Sequence, residues 1–175
     1  MSHALSMRTM VQSTDPIAGI PAYAGLALSV LVILTAATLG SLTTEGALEP
    51  WYRDLVKPVW TPPNLAFPIA WSILFPAMAY AAWRVWRTGP GRPDVRTALL
   101  IYAGHLVFNV GWSFGFFYMQ NTALGIALVV PLFIGVAMTW RAFRPIDRVA
   151  GMLFVPYLAW VGFAAALNFA IAGMN

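Results

Sequence analysis

From Thr97 to Trp140 the chain runs for 44 residues without an Asp, Glu, Lys or Arg. One helix needs about 20 apolar residues to cross about 30 Å of hydrocarbon, so this stretch is long enough to cross twice, and Gln120-Asn121 marks the turn between the crossings. Uncharged runs from Ala22 to Leu42, from Leu65 to Trp83 and from Val149 to Met174 add three more spans. Spans of a β-barrel would be about 10 residues of alternating polarity, a pattern these continuous runs lack. With 60% hydrophobic and 9% charged residues, the composition leaves no region polar enough for a separate soluble core. The expected fold is an all-α membrane protein, a bundle of five transmembrane helices near 22–42, 65–86, 97–119, 122–142 and 148–172. These form one domain, 22–175, preceded by a polar tail, 1–21, and interrupted by a long first loop, 43–64.

Basic residues give the bundle a direction. Arg8, Arg84, Arg87, Arg92, Arg96, Arg141, Arg144 and Arg148 fall on one side of the five spans, and Arg53 and Lys57 fall on the other. In an inner membrane, the positive-inside rule places the N-terminus in the cytoplasm and the first loop outside. The net charge of +4 therefore reads as topology and not as a nucleic-acid surface. The chain has no Cys and only two His, His3 and His105, which excludes thiolate chemistry and a zinc cluster built on either residue type. The tail 1–21 reads as solvated and followed by an uncleaved helix.

Loops longer than about 12–15 residues are usually functional or disordered, and the first loop exceeds that length. Its segment from Trp51 to Pro63 combines Trp51, Tyr52 and Trp60 with Pro58, Pro62 and Pro63, and Pro68 follows. Rings and fixed φ angles favour a preorganised lid over disorder. Beneath it, His105, Asn109 and Trp112 share one face of helix three, with Phe116 a turn further on. Polar groups in hydrocarbon need partners, so this face points inward, toward a neighbouring helix or a ligand. Helix five carries Pro156, Trp160, Ala164 and Asn168 at four-residue steps, and Trp71 lies one turn into helix two. Pro76 and Pro131 interrupt helices two and four, while Trp83, Trp86 and Trp140 sit beside arginines as interfacial belt residues. Gly111 and Gly115 form a Gly-xxx-Gly pair, with Gly104 two turns earlier, a face suited to close helix contact within the chain or between two copies.

Taken together, Trp51-Tyr52, Leu55, Lys57-Pro58, Trp60, Thr61-Pro62-Pro63, Phe67-Pro68, Trp71, Phe108-Asn109, Trp112, Phe116-Phe117, the run Val155 to Trp160 and Leu167-Asn168 resemble the translocator protein family, also called tryptophan-rich sensory proteins or peripheral benzodiazepine receptors. The resemblance covers about residues 22–172. It implies a ligand pocket beneath the first loop that takes porphyrins and benzodiazepine- or isoquinoline-type molecules. Positions matching Trp71, Asn109 and Trp160 would lie at the ligand, with Trp60, Trp112 and Ala164 nearby. Tyr52 and His105 complete the candidate set. The resemblance also implies a homodimer through helix three, at Gly104, Gly111 and Gly115. Some bacterial relatives degrade protoporphyrin in light, with the tryptophans matching Trp71 and Trp160 implicated. The sterol-recognition pattern of animal members requires Tyr and then Lys or Arg near the C-terminus, and residues 167–175 contain neither.

The leading expectation is a membrane protein that binds tetrapyrroles and senses or translocates them. No cofactor is required, and protoporphyrin IX or haem is the expected ligand class, its propionates meeting Lys57 or Arg53. A photo-oxidative porphyrin-degrading enzyme and a porphyrin or sterol transporter are the alternatives. No catalytic acid-base pair, nucleophilic triad or metal site is read from the residues. The spans contain no acidic residue to couple ions, and no inverted repeat is visible.

Overall fold

The computed structural model describes residues 22–44 and 48–175; the tail with Arg8, and the lid positions 45–47, lie outside the described residues. Five helices are long and apolar enough to cross a membrane: α1 (Ala22–Thr44), α2 (Ala66–Trp86), α3 (Pro93–Ser113), α4 (Thr122–Ile146) and α5 (Arg148–Met174). A membrane helix satisfies every backbone group within itself, which is why this apolar composition yields helices throughout. Neighbours run in the ring order α1, α2, α5, α4, α3, and α1 packs chiefly on α2 and α3. Val85, Val95, Val129, Val136, Phe143, Phe154 and Tyr157 fill the interior with no exposed surface. Leu28, Leu31, Leu34 and Leu42 of α1 face outward, where lipid tails would cover them.

Helix ends depart from the uncharged runs in a consistent way. α3 starts at Pro93, ahead of the charge-free stretch, because proline suits the first helical turn and Asp94 sits at the positive end of the helix dipole. Likewise α4 continues past Arg144 to Ile146, since arginines at a helix end extend their heads to the interface. At its other end α3 passes into a π-helical turn, Phe114–Tyr118, closed by Met119 N–H donating to the Phe114 carbonyl at 2.9 Å. Gln120 at φ 51° then reverses the chain, and Asn121 caps α4 by accepting from Leu124 N–H at 2.9 Å.

At the arginine-rich end, Asp147 serves three elements. Its carboxylate caps α5 by accepting from Ala150 N–H at 2.8 Å. It also accepts from Arg84 Nε at 3.0 Å on both oxygens, with Arg84 Nη2 at 2.9 Å from Oδ2. The end of α2 is thereby tied to the α4–α5 turn, where Gly151 leaves room for the Arg144 backbone 2.8 Å from where a Cβ would stand. Belt contacts lie at the same level, with Arg87 over Trp83 at 4.9 Å and Arg144 over Trp140 at 5.7 Å.

The Arg84 guanidinium, reinforced by the α5 cap, holds the Asp147 carboxyl below the ordinary carboxylate range, against a smaller opposing effect of burial. A folded pKa below the unfolded one means that this stabilisation is complete above the unfolded value and is lost as pH falls through the depressed value. Asp147→Asn is expected to lower unfolding stability in detergent by about 1–3 kcal/mol near neutral pH, with the deficit shrinking on acidification. Thermal melts of both proteins across that pH range measure it.

Candidate ligand pocket

A half-open cavity of about 510 Å³ lies beneath the first loop, lined by α1, α2, α3 and the lid. That volume is in the range of small-molecule sites. Its walls are aromatic: Phe67, Trp71 and Phe75 from α2, Trp112 and Phe117 from the α3 side, and Tyr52 from the lid. Trp71 stacks on Phe75 at 4.9 Å and meets the edge of Tyr157 at 6.0 Å, which fixes its plane. Small residues of α1, Ala37, Gly40 and Ser41, line another side.

The lid is held by its own chain. Leu48–Tyr52 forms a π-helical turn, and Lys57 Nζ donates to the carbonyls of Tyr52, Arg53 and Leu55, the last two at 3.0 Å. The same ammonium lies 4.7 Å from the Tyr52 ring centroid. Thus the lysine that the sequence offered as a propionate contact serves as the cap of the lid, because several unpaired carbonyls at the end of a turn attract a cation. Arg53 pairs with Asp54 at 3.0 Å, both side chains largely exposed. The Asn175 carboxamide clamps the lid from α5, its Oδ1 accepting from Val56 N–H and its Nδ2 donating to the Val56 carbonyl, each at 3.0 Å. Trp51 packs edge-on against Phe116 at 5.4 Å, and Tyr52, 3% exposed, packs against Phe67, Phe116 and Phe117. Burial pushes the Tyr52 phenol above its ordinary value, so it stays neutral.

Tyr52, Trp71, Asn109 and Trp112 from the sequence-derived set line this cavity. The Asn109 carboxamide is anchored at one end, with Nδ2 donating to Tyr157 Oη at 2.9 Å. Trp112 is oriented by Nε1–H donating to Asn168 Oδ1 at 3.1 Å, and Asn168 Nδ2 in turn donates to the Thr122 carbonyl at 3.0 Å. Gly125 makes this possible, since a Cβ there would stand 2.6 Å from Asn168 Oδ1.

Trp160, Ala164, Trp60 and His105 lie outside the main cavity. Trp160 stands behind Phe67, ring centroids 5.8 Å apart, and Trp60, half exposed, packs on Phe163 at 5.7 Å. Ala164 lines a void of about 20 Å³ that shares Tyr52, Phe67, Trp112 and Phe117 with the main cavity. Those four rings therefore partition α5 from the cavity. His105 is buried one turn below Asn109, against Tyr157 at 5.7 Å and Tyr102 at 5.1 Å. Thr139 Oγ1 spends its proton on the Gly135 carbonyl at 2.8 Å, so at 3.3 Å it accepts from His105 Nδ1–H. Among the described residues no group of three or more His, Cys, Asp or Glu could hold a metal ion.

Spacing did not single out Tyr157, Phe75, Ser113 or the α1 wall. Tyr157 lay inside a recognised run, and its only sequence signal was a polar tip within an apolar span. Of the glycines, Gly115 is buried against Leu124 and Leu128 of α4, Gly111 also faces Leu128, and Gly104 is open.

The family model of the TspO/MBR family matches residues 29–174. The chain belongs to that family. It is 39% identical over 150 residues to the tryptophan-rich protein TspO of Chlorobaculum tepidum, covering 86% of this chain and 95% of the relative. To the tryptophan-rich sensory protein of Cereibacter sphaeroides it is 42% identical over 143 residues, 79% of this chain and 87% of the relative. Identity to the translocator protein of Homo sapiens is 33% over 136 residues, 76% of this chain and 79% of the relative. As a TspO/MBR member with five membrane-crossing helices, it is an integral multi-pass membrane protein.

The Val56 clamp generates a direct test of lid order. Removing the carboxamide with Asn175→Ala is expected to speed amide hydrogen exchange at Val56 by about tenfold, equivalent to about 1.4 kcal/mol of local protection. Unchanged exchange would show that the lid is held without it.

Proposed function

We propose that this TspO/MBR protein binds flat tetrapyrroles, chiefly protoporphyrin IX, in the cavity under the first loop, and that sensing or translocation follows from that binding. The observation that carries the reading is the cavity wall itself. Six aromatic side chains from three parts of the chain surround about 510 Å³ and are held by stacking and hydrogen bonds before any ligand arrives. A flat apolar macrocycle gains from such walls because little ordering entropy is left to lose. The names of the relatives, tryptophan-rich sensory protein and translocator protein, support the sensory and translocating half of the reading.

Benzodiazepine- and isoquinoline-type molecules are flat enough for the same walls. Photo-oxidative conversion is the second reading, favoured by Trp71, an oxidisable indole on the cavity surface. Haem ligation by His105 receives no such support, because Tyr157 packs against His105 and His105 does not line the cavity. For assembly, we propose pairing of two copies through the open α3 face at Gly104, flanked by exposed Leu100 and Val107, since Gly111 and Gly115 already face α4.

Titration of the detergent-purified protein with protoporphyrin IX, followed by tryptophan fluorescence, tests the binding. Trp71→Ala and Asn109→Leu are each expected to weaken affinity about tenfold or more, and Trp160→Phe, behind Phe67, about threefold at most. Wild-type affinity in Trp71→Ala would remove the cavity as the binding site.

A further inference from the structure

Among the described residues, the cavity lining carries no charge. Every described lining residue is apolar, aromatic, hydroxyl-bearing or an amide. The cation adjacent to it, Lys57, has its three donors directed at the Tyr52, Arg53 and Leu55 carbonyls, and Arg53 pairs with Asp54. Part of the neutral polar lining is also committed: Thr44 Oγ1 donates to the Gly40 carbonyl at 2.8 Å and Ser72 Oγ to the Ile69 carbonyl at 2.7 Å. Asn109, 3% exposed, is tied at one end to Tyr157, whereas Asn64 is exposed at the lid edge. Exposure to solvent within the site thus rises from the anchored amide on α3 to the open amide at the rim.

A carboxylate carried into such a space gives up water and finds no cation among the described lining residues, a cost of several kcal/mol. A neutral donor or acceptor loses far less, and the unanchored end of the Asn109 amide is available to it. We infer that the cavity takes only the uncharged part of its ligand, and that any carboxylate remains outside it, in water at the rim beside Asn64. This inference rests on the cavity being the binding site and specifies which ligand chemistry it accepts. Flexible acid arms, as on protoporphyrin, can reach the rim; an acid fixed directly to a ring must enter with it.

Two ligand pairs separate these cases. Tryptophan quenching is titrated with 1-pyrenecarboxylate and its methyl ester, and with protoporphyrin IX and its dimethyl ester, at about pH 7.5, where the acids are ionised. Ala37→Trp and Ser41→Trp, which fill the cavity from α1, serve as blanks for binding elsewhere and for partition into detergent. The pyrene ester is expected to bind about tenfold tighter than the acid or better, and the two porphyrins to agree within about threefold. Pyrene acid binding as tightly as its ester, or porphyrin affinity falling beyond that margin on esterification, overturns the inference. Ester-selective pyrene binding with neither porphyrin bound leaves it standing and removes the tetrapyrrole reading instead.

Discussion

Within a bilayer no water is available to a polar group, so each buried donor and acceptor finds its partner inside the chain or costs free energy. This constraint organises the centre of the bundle. Asn168 accepts from the Trp112 indole and donates to the Thr122 carbonyl, linking α3, α4 and α5 at one point. Asn109 and Tyr157 link α3 to α5 again, and His105 leans on Thr139 of α4. Each link also positions a ring: Trp112 in the cavity wall, Tyr157 against Trp71. The polar pairs that the membrane demands are therefore the fixtures on which the aromatic walls are mounted.

Backbone carbonyls of the lid meet the same requirement at the water boundary. A turn that ends with carbonyls pointing outward is completed by Lys57, whose position over the Tyr52 ring turns that phenol into the roof of the cavity. Tyr52 and Phe67 also separate the main cavity from the small void at Ala164, and Phe67 packs against Trp160. Aromatic contacts thus do two things: they form the wall of one compartment and the partition from the next.

The number of spans was legible because crossing length is a property of apolar composition alone, and the arginine asymmetry was legible because charge is. The inward faces of α3 and α5 could also be read, since Asn109, Trp112 and Asn168 recur at helical spacing and all are buried. What periodicity could not supply was the neighbour each face meets. Trp160 points inward, yet Phe67 of α2 stands between it and the cavity, a fact that depends on how two distant helices approach. A sequence displays the charge of Lys57 and not the carbonyls that surround it. Gly115 fitted a motif for contact between copies, and only packing shows Leu124 and Leu128 of its own chain against it.

The proposed ligand site lies among Tyr52, Trp71, Trp112 and Phe117. The most direct measurement is the indole N–H spectrum of the eight tryptophans, assigned by single substitution and recorded during titration with protoporphyrin IX. The Trp71 and Trp112 signals are expected to move most, while Trp83, Trp86 and Trp140, at the arginine-rich end, stay in place. Large shifts at those three with Trp71 and Trp112 unmoved would contradict that site.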